Sequence, residues 1–338
     1  MALRPLALAC FLAAALGASH ARADAFRLIV TETQTPLVPN SVAELAVKLG
    51  YYKKQGVDVE LVRVQQTPSA VAALRAGGGD MANIGIDTAL QLLAHDQMKL
   101  RAVVSPDKSL PYLIAAKAAL AVPNDLDGKV FGVARIGSVD YTLSRMVLAK
   151  LGLSIDRLQY LVLGQPSVRA ESLAAGRIDA TTVSVGIWTT MPDKSGLRVL
   201  VDQPSFYRLA PFVSKLDVVT ADVAQSKAGA IAGVVRGMIL ASRDFARDPK
   251  LWVDAMVKER PEVKRADLET LAEAYRDGWC TNGGLNLDAI KFTTDIEYQT
   301  RDFEDARRVE PAEWVDTSFV DAAIAAIGAD PQRDPTGR

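Results

Sequence analysis

The chain has 338 residues, and its 39 basic and 40 acidic side chains nearly balance, which gives no indication of a nucleic-acid partner. Its length and ordinary globular composition predict two domains. Two cysteines and two histidines leave little material for a disulfide framework, a metal site or general acid–base catalysis.

The first 23 residues have the pattern of a secretory signal peptide. Arg4 precedes an apolar run from Leu6 to Ala18, and small residues lead to Ala23. The run is shorter than the roughly 20 residues that a transmembrane helix needs. We therefore expect cleavage near Ala23 and no membrane insertion, which leaves Cys280 as the single cysteine and His95 as the single histidine of the mature chain.

Strands and helices alternate over the first hundred residues of the mature chain. Apolar or alternating runs predict strands at 26–30, 57–64, 81–86 and 100–104, and helical periodicity predicts helices that begin at 41, 67 and 88. Ser41 and Glu44 have the spacing of a capping box. This alternation predicts a mainly parallel sheet with helices on its faces.

The pattern then begins again, with strands predicted at 130–134, 160–163 and 180–185 and helices at 138–150 and 167–175. A short phrase, L-x-A-G-x-x-D, ends at Asp80 in the first half and at Asp179 in the second. Such a phrase describes a helix that ends in a left-handed glycine and leads into a strand. We interpret the two halves as duplicated lobes.

The predicted boundaries follow from this repeat. We predict a signal peptide at 1–23, the first part of lobe 1 at 24–112, lobe 2 at 113–212, a helical part at 213–330 and a flexible tail at 331–338. Apolar extended segments near 110–116 and 209–215 would cross between the lobes. The helical part would pack on lobe 1 and the hinge.

Four phrases carry a resemblance to a known family. They are AVKLGYYKKQGVDVELV (46–62), AALRAGGGDMANIG (72–85), DLDGKVFGVARIGS (125–138) and ESLAAGRIDA (171–180). Their order and spacing over about 26–190 resemble the nitrate/sulfonate/taurine and thiamine-precursor group of ABC substrate-binding proteins. The resemblance implies the α/β type II periplasmic-binding-protein fold, whose two lobes close on a ligand by a hinge motion.

The resemblance also implies a function. It predicts a monomeric periplasmic solute-binding protein without cofactor or metal, which delivers a small molecule to an inner-membrane permease with its cytoplasmic ATPase. A protein that presents its ligand to a membrane sensor is an alternative. An enzyme is the other alternative, because synthases of the thiamine-precursor branch share this fold. Those synthases use a cysteine cluster and a histidine, and this chain has no cysteine cluster.

Ligands of open α/β sheets bind beyond the carboxyl ends of the strands, where helix N-termini offer free N–H groups. Applied to the predicted strands, this rule selects residues in six loops. The candidate ligand-binding residues are Thr33, Gln34, Asn40, Thr67, Ser69, Asp87, Thr88, Arg135, Gly137, Ser138, Arg169, Ser184 and Trp188.

The second-lobe candidates favour a small organic anion. Gly137 and Ser138 precede a helix and predict an anion-binding turn, beside which Arg135 is placed to hold a sulfonate or carboxylate through two hydrogen bonds. Arg169 lies in the first turn of a helix, where its charge opposes the helix dipole, and this favours a role in the cleft. The ligand would be aromatic if Trp188 stacks on it, although core packing explains a tryptophan equally well.

Asp87 supports a different ligand. It either caps its own helix or faces the cleft, and a carboxylate in the cleft would favour a cationic pyrimidine or amine. The sequence leaves both ligand classes open.

Overall fold

The computed structural model describes residues 25–31, 34–65, 67–96, 98–106, 108 and 110–331, so the predicted signal peptide, Thr33 and most of the predicted tail lie outside the described residues. The strands are β1 (Phe26–Val30), β2 (Val59–Arg63), β3 (Met81–Gly85), β4 (Leu100–Val104), β5 (Tyr112–Lys117), β6 (Val130–Val133), β7 (Gln159–Val162), β8 (Ala180–Ser184), β9 (Leu197–Val201) and β10 (Lys215–Thr220). The helices are α1 (Ser41–Lys48), α2 (Tyr51–Lys54), α3 (Thr67–Arg75), α4 (Ile86–Ala94), α5 (Val139–Lys150), α6 (Pro166–Ala174), α7 (Val185–Thr190), α8 (Gln203–Leu209), α9 (Ala221–Ser226), α10 (Ala228–Arg247), α11 (Pro249–Glu259), α12 (Arg265–Ala274), α13 (Leu287–Glu297), α14 (Pro311–Trp314) and α15 (Ser318–Ile327).

Two five-stranded sheets define two lobes. The strand order is β2-β1-β3-β10-β4 in lobe 1 and β7-β6-β8-β5-β9 in lobe 2. In each sheet the first three strands are parallel, and the fourth, β10 or β5, is antiparallel to both of its neighbours. The two orders match strand for strand, so the predicted two-lobe α/β architecture is confirmed and the duplication gains support.

The repeated acidic residue has the same structural task in both lobes. The backbone N–H of Asp80 donates to the carbonyl of Arg27 (2.8 Å), and the N–H of Arg27 donates back to the Asp80 carboxylate (2.8 Å). Asp179 and Val130 exchange the equivalent pair of hydrogen bonds at 2.8 and 2.9 Å. Each aspartate therefore ties a helix–strand turn to the start of the neighbouring strand.

The chain crosses between the lobes twice. It leaves lobe 1 after β4 and returns to it between α8 and β10. The first crossing was predicted to extend to Ala116, but it ends before Tyr112, where β5 begins and pairs with strands on both sides. The apolar composition of 112–116 therefore reflects the position of β5 inside the lobe-2 sheet, between β8 and β9. The second crossing is 210–214, between the end of α8 and the start of β10.

The C-terminal helices pack on lobe 1 and also reach lobe 2. Helix α10 lies against α1, α2, α11 and α15, and α12 lies against α7 of lobe 2. Gly237 of α10 permits a close approach, because a Cβ there would lie 2.6 Å from the buried ring of Tyr52. None of the helices in the described part of the chain combines the length and apolar composition that a bilayer crossing needs.

The predicted capping box at Ser41 and Glu44 is wrong. Ser41 is buried and its Oγ accepts a hydrogen bond from the indole N–H of Trp252 (2.9 Å). Glu44 is also buried, and its carboxylate accepts hydrogen bonds from Arg63 (3.0 Å) and Thr35 (2.8 Å). The spacing of a capping box is a local signal, whereas partners from distant segments determine what these two side chains do.

Candidate functional site

A cleft of about 780 Å³ lies between the two lobes. Lobe 1 lines it with Thr67, Gly85, Ile86, Asp87 and Gln91, and lobe 2 lines it with Tyr112, Arg135, Ile136, Gly137, Val139 and Thr142. The crossing segments and the start of β10 contribute Leu110, Phe212, Ser214 and Lys215. The end of α13 and the turn that follows contribute Ile296, Glu297, Gln299, Thr300, Arg301, Asp302 and Phe303.

Four of the predicted ligand-binding residues line this cleft. They are Thr67, Asp87, Arg135 and Gly137. Asp87 is exposed. It does not cap α4, because the N-cap residue is Gly85 and no side chain caps this helix. Neither the Asp87 carboxylate nor the Arg135 guanidinium has a partner among the described residues. Opposite charges therefore face the cleft from opposite lobes.

The remaining described candidates do not line the cleft. Gln34 and Ser69 are exposed, and Thr88 is half-buried in α4. Asn40 is the N-cap residue of α1, and its side chain makes no capping hydrogen bond. Ser184 caps α7 by accepting a hydrogen bond from the N–H of Ile187 (3.2 Å).

Trp188 packs against the hydrophobic core and does not line the cleft. It is half-buried against the hydrophobic core that contains lobe 1 and the C-terminal helices, and the ammonium of Lys194 lies 5.8 Å from its ring centroid. The structure thus favours the packing alternative for this side chain.

Arg169 does not face the cleft, which corrects its predicted placement. It is 3% exposed, and its guanidinium donates to the carbonyls of Gly164 and Thr182 and lies 3.6 Å from the Asp140 carboxylate. These internal acceptors offset the unfavourable interaction between the Arg169 charge and the dipole of its own helix. The position of Arg169 in a first helical turn could not reveal them, because they come from other segments of lobe 2.

The turn before α5, predicted to bind an anion, is partly filled by hydrogen bonds within the protein. The Ser138 hydroxyl lies 2.6 Å from the carbonyl of Arg135 and 2.5 Å from the Asp140 carboxylate. Asp140 is buried and also accepts a hydrogen bond from the N–H of Ala134 (2.9 Å). The Asp140 carboxylate therefore occupies the inner side of the turn. Gly137 and Arg135 of this turn face the cleft.

Sequence reasoning missed the segment at 296–303, because it follows the end of a helix and not the end of a strand. Glu297 is only 7% exposed. Burial raises the pKa of Glu297 to about 7, and the negative charges of Asp87 and Asp302 add to this effect. A buried acid in contact with a cleft is a typical feature of functional sites.

Tyr112, at the start of β5, also lines the cleft. Its ring packs edge-on against Phe206, with 5.7 Å between the ring centroids. Burial raises the pKa of Tyr112 to about 12, and the charge of Asp140 contributes. The phenol therefore stays protonated and can donate a hydrogen bond to a solute in the cleft.

In the described part of the chain, no group of three or more histidine, cysteine, aspartate and glutamate side chains is arranged to hold a metal ion. The fold and the cleft define a two-lobe α/β protein with a polar site at the lobe junction. The NMT1/THI5-like family model matches residues 42–250, which is more than half of the chain. The chain belongs to the NMT1/THI5-like family.

A curated relative from Brucella abortus, whose name describes it only as a binding protein, is 28% identical over 272 residues. The match covers 75% of this chain and 81% of the relative.

Two solved structures illustrate the fold. The periplasmic aliphatic sulphonate-binding protein of Escherichia coli has a TM-score of 0.64 and 16% identity, over 86% of this chain and 91% of its own. The desulfurization enzyme DszB has a TM-score of 0.62 and 13% identity, over 89% and 99%. The chain therefore has the periplasmic-binding-protein fold, as the sequence predicted.

Proposed function

We propose that this chain is the periplasmic solute-binding component of an ABC importer and that it holds a small molecule between its lobes. The interlobe cleft is the observation that carries this proposal. Its volume of about 780 Å³ suits a small molecule, and the charged side chains of Asp87 and Arg135, which have no partner among the described residues, face it. Both crossing segments border the cleft, so bending there would open and close it.

The comparisons support the same class. The similar Escherichia coli structure is named a sulphonate-binding protein, and the Brucella abortus relative is named a binding protein. The pattern of the first 23 residues supports export to the periplasm. A permease with its ATPase is the partner that this proposal requires.

The proposed ligand is a small organic anion, either a sulfonate or a carboxylate. Arg135 faces the cleft with an exposed guanidinium, and Lys215 and Arg301 add positive charge to the lining. A guanidinium matches the planar arrangement of two oxygens on either group. The alternative is a cationic pyrimidine or amine. The Asp87 carboxylate supports it, because it lines the cleft and has no partner among the described residues.

An enzyme on the same fold is the competing function, because DszB shares the architecture. We favour binding over catalysis because Cys280 is buried and His95 lies outside the cleft lining, beside Phe303. Incubation of the purified protein with a bound solute, followed by mass spectrometry, separates the two functions. Recovery of unchanged solute supports binding, and a product contradicts it.

A thermal-shift screen tests the proposed function most directly. The purified protein is heated with sulfonates, aliphatic and aromatic carboxylates, nitrate, amines and pyrimidines. A solute at 100 times its Kd adds about 2.7 kcal/mol to the free energy of unfolding and raises the melting temperature measurably. If no solute raises the melting temperature, the proposed function fails.

Arg135→Lys tests the proposed anion contact. We expect the Kd of an anionic solute from the screen to rise several-fold, because a single ammonium replaces two aligned N–H donors. Isothermal titration calorimetry measures the change, and Arg177→Lys, an exposed position outside the cleft, is the matched control. An unchanged Kd in Arg135→Lys would remove Arg135 from the binding site.

A further inference from the structure

Glu297 is a buried carboxylate that faces the cleft and has no side-chain partner among the described residues. It ends α13, is 7% exposed and belongs to the cleft lining. Its backbone carbonyl accepts hydrogen bonds from Thr300, but no described residue donates to its side chain. Buried carboxylates in proteins are normally paired or hydrogen-bonded. A solute in the cleft can supply this partner.

The charges around Glu297 are unbalanced. Asp87 from α4 and Asp302 from the turn after α13 both oppose its ionisation, and with burial they raise its pKa to about 7. Three cationic side chains line the same cleft: Arg301 in that turn, Lys215 of β10 and Arg135 of lobe 2. Lys215 already donates to the hydroxyl of Thr31 (3.1 Å), and Arg301 and Arg135 are exposed.

Contacts to both lobes hold α13 at the lobe junction. The N–H of Val213 in the second crossing donates to the Thr293 hydroxyl (2.9 Å), and Ile296 packs into the core of lobe 2. On the other side, His95 of lobe 1 lies 3.3 Å through Nε2 from the carbonyl of Asp302. Glu297 therefore lies at the lobe junction, within reach of a solute that touches both lobes.

We propose that Glu297 and Asp87 bind a cationic nitrogen of the solute while Arg135 binds its anionic group. The ligand is then an aminated sulfonate or carboxylate. This inference rests on the proposed solute-binding function and narrows its ligand class. An ammonium has three donors and no acceptor, so it satisfies two carboxylates at once through charge-assisted hydrogen bonds. A simple anion would bring no hydrogen-bond donor to either carboxylate.

Matched pairs of probes test the inference. Isothermal titration calorimetry compares 3-aminopropanesulfonate with propanesulfonate and 4-aminobutanoate with butanoate. A hydrogen bond to a charged group is strong enough that we expect the wild type to bind the aminated member of a pair at least about tenfold more tightly. Glu297→Gln removes most of this preference, whereas Glu304→Gln, an exposed glutamate outside the lining, keeps it.

The direction in which affinity for the aminated probe changes with pH shows whether Glu297 acts as an ionised acceptor or as a protonated donor. If the ionised carboxylate binds the ammonium, affinity for the aminated probe rises roughly tenfold between pH 6 and pH 8 as Glu297 loses its proton. The amine of the probe stays protonated throughout this range. Affinity that falls over this range would mean that protonated Glu297 donates to an anion, and the inference would be overturned.

Three outcomes separate the inference from the function on which it rests. If the wild type binds amine-free anions as tightly as aminated ones, or if Glu297→Gln keeps the preference, the inference fails and the proposed function stands. If no member of the wider screen binds, both fail. Asp87→Asn is a second variant, for which we expect normal folding because Asp87 is exposed and has no partner among the described residues. It should lose part of the preference.

Discussion

We expect Arg169→Met to lower the free energy of unfolding by about 3 to 5 kcal/mol. The variant leaves the buried carboxylate of Asp140 without its ion-pair partner and leaves the carbonyls of Gly164 and Thr182 without the guanidinium donors. Loss of one member of a buried pair is costly because the other charge stays desolvated. Urea unfolding followed by circular dichroism measures the change, with the slope of the transition checked for constancy.

Arg177→Met is the control for this experiment. Arg177 is exposed just beyond the end of α6, so its replacement should change the unfolding free energy by less than about 0.5 kcal/mol. A loss below about 1 kcal/mol in Arg169→Met, combined with weaker solute binding by the folded variant, would return Arg169 to the ligand site. A large loss of stability supports the internal role.

The sequence predicted the elements of both lobes well where hydrophobic pattern and turn residues agree. β1 and β4 have the predicted bounds, and α6 differs by one residue at each end. β9, β10, α7 and α8 were not predicted, and the prediction of a helical part at 213–330 is wrong at its start, where β10 occupies Lys215–Thr220 and completes the lobe-1 sheet. The run at 197–201 is an edge strand of the lobe-2 sheet and only partly buried, so its pattern is weak.

The candidate site was predictable only where one local rule applies. Thr67, Asp87, Arg135 and Gly137 follow the ends of strands, and parallel strands bring such ends together at one edge of a sheet. The same rule selected Ser184 and Trp188, which the structure uses for a helix cap and for packing. A strand end indicates a location and does not indicate the direction of a side chain.

Glu297 could not be predicted, because its position depends on long-range packing. It closes a helix some eighty residues beyond the second crossing, and only the contacts of α13 with the crossing and both lobes bring it to the cleft. In the sequence it is one acidic residue among 40. Its burial and the nearby carboxylates are properties of the fold alone.

We expect Glu297→Gln to stabilise the protein at pH 8 by about 2 to 3 kcal/mol more than it does at pH 5. The pKa of Glu297 is about 7 in the folded protein, raised from an ordinary value of 4.5 by burial and by Asp87 and Asp302. Below pH 4.5 the carboxyl is protonated in both states and adds no penalty. Between pH 4.5 and 7 the unfolded chain releases a proton that the folded protein keeps, so stability falls as pH rises.

The size of the effect follows from the pKa difference, because each unit corresponds to about 1.4 kcal/mol and the penalty is complete above pH 7. Urea unfolding of wild type, Glu297→Gln and the exposed control Glu304→Gln at pH 5, 6, 7 and 8 measures it. A difference between wild type and Glu297→Gln that does not grow with pH would show that Glu297 is not a buried acid in solution. A growing difference would mean that the free protein keeps a destabilising carboxylate at its cleft, as expected of a residue retained for binding and not for stability.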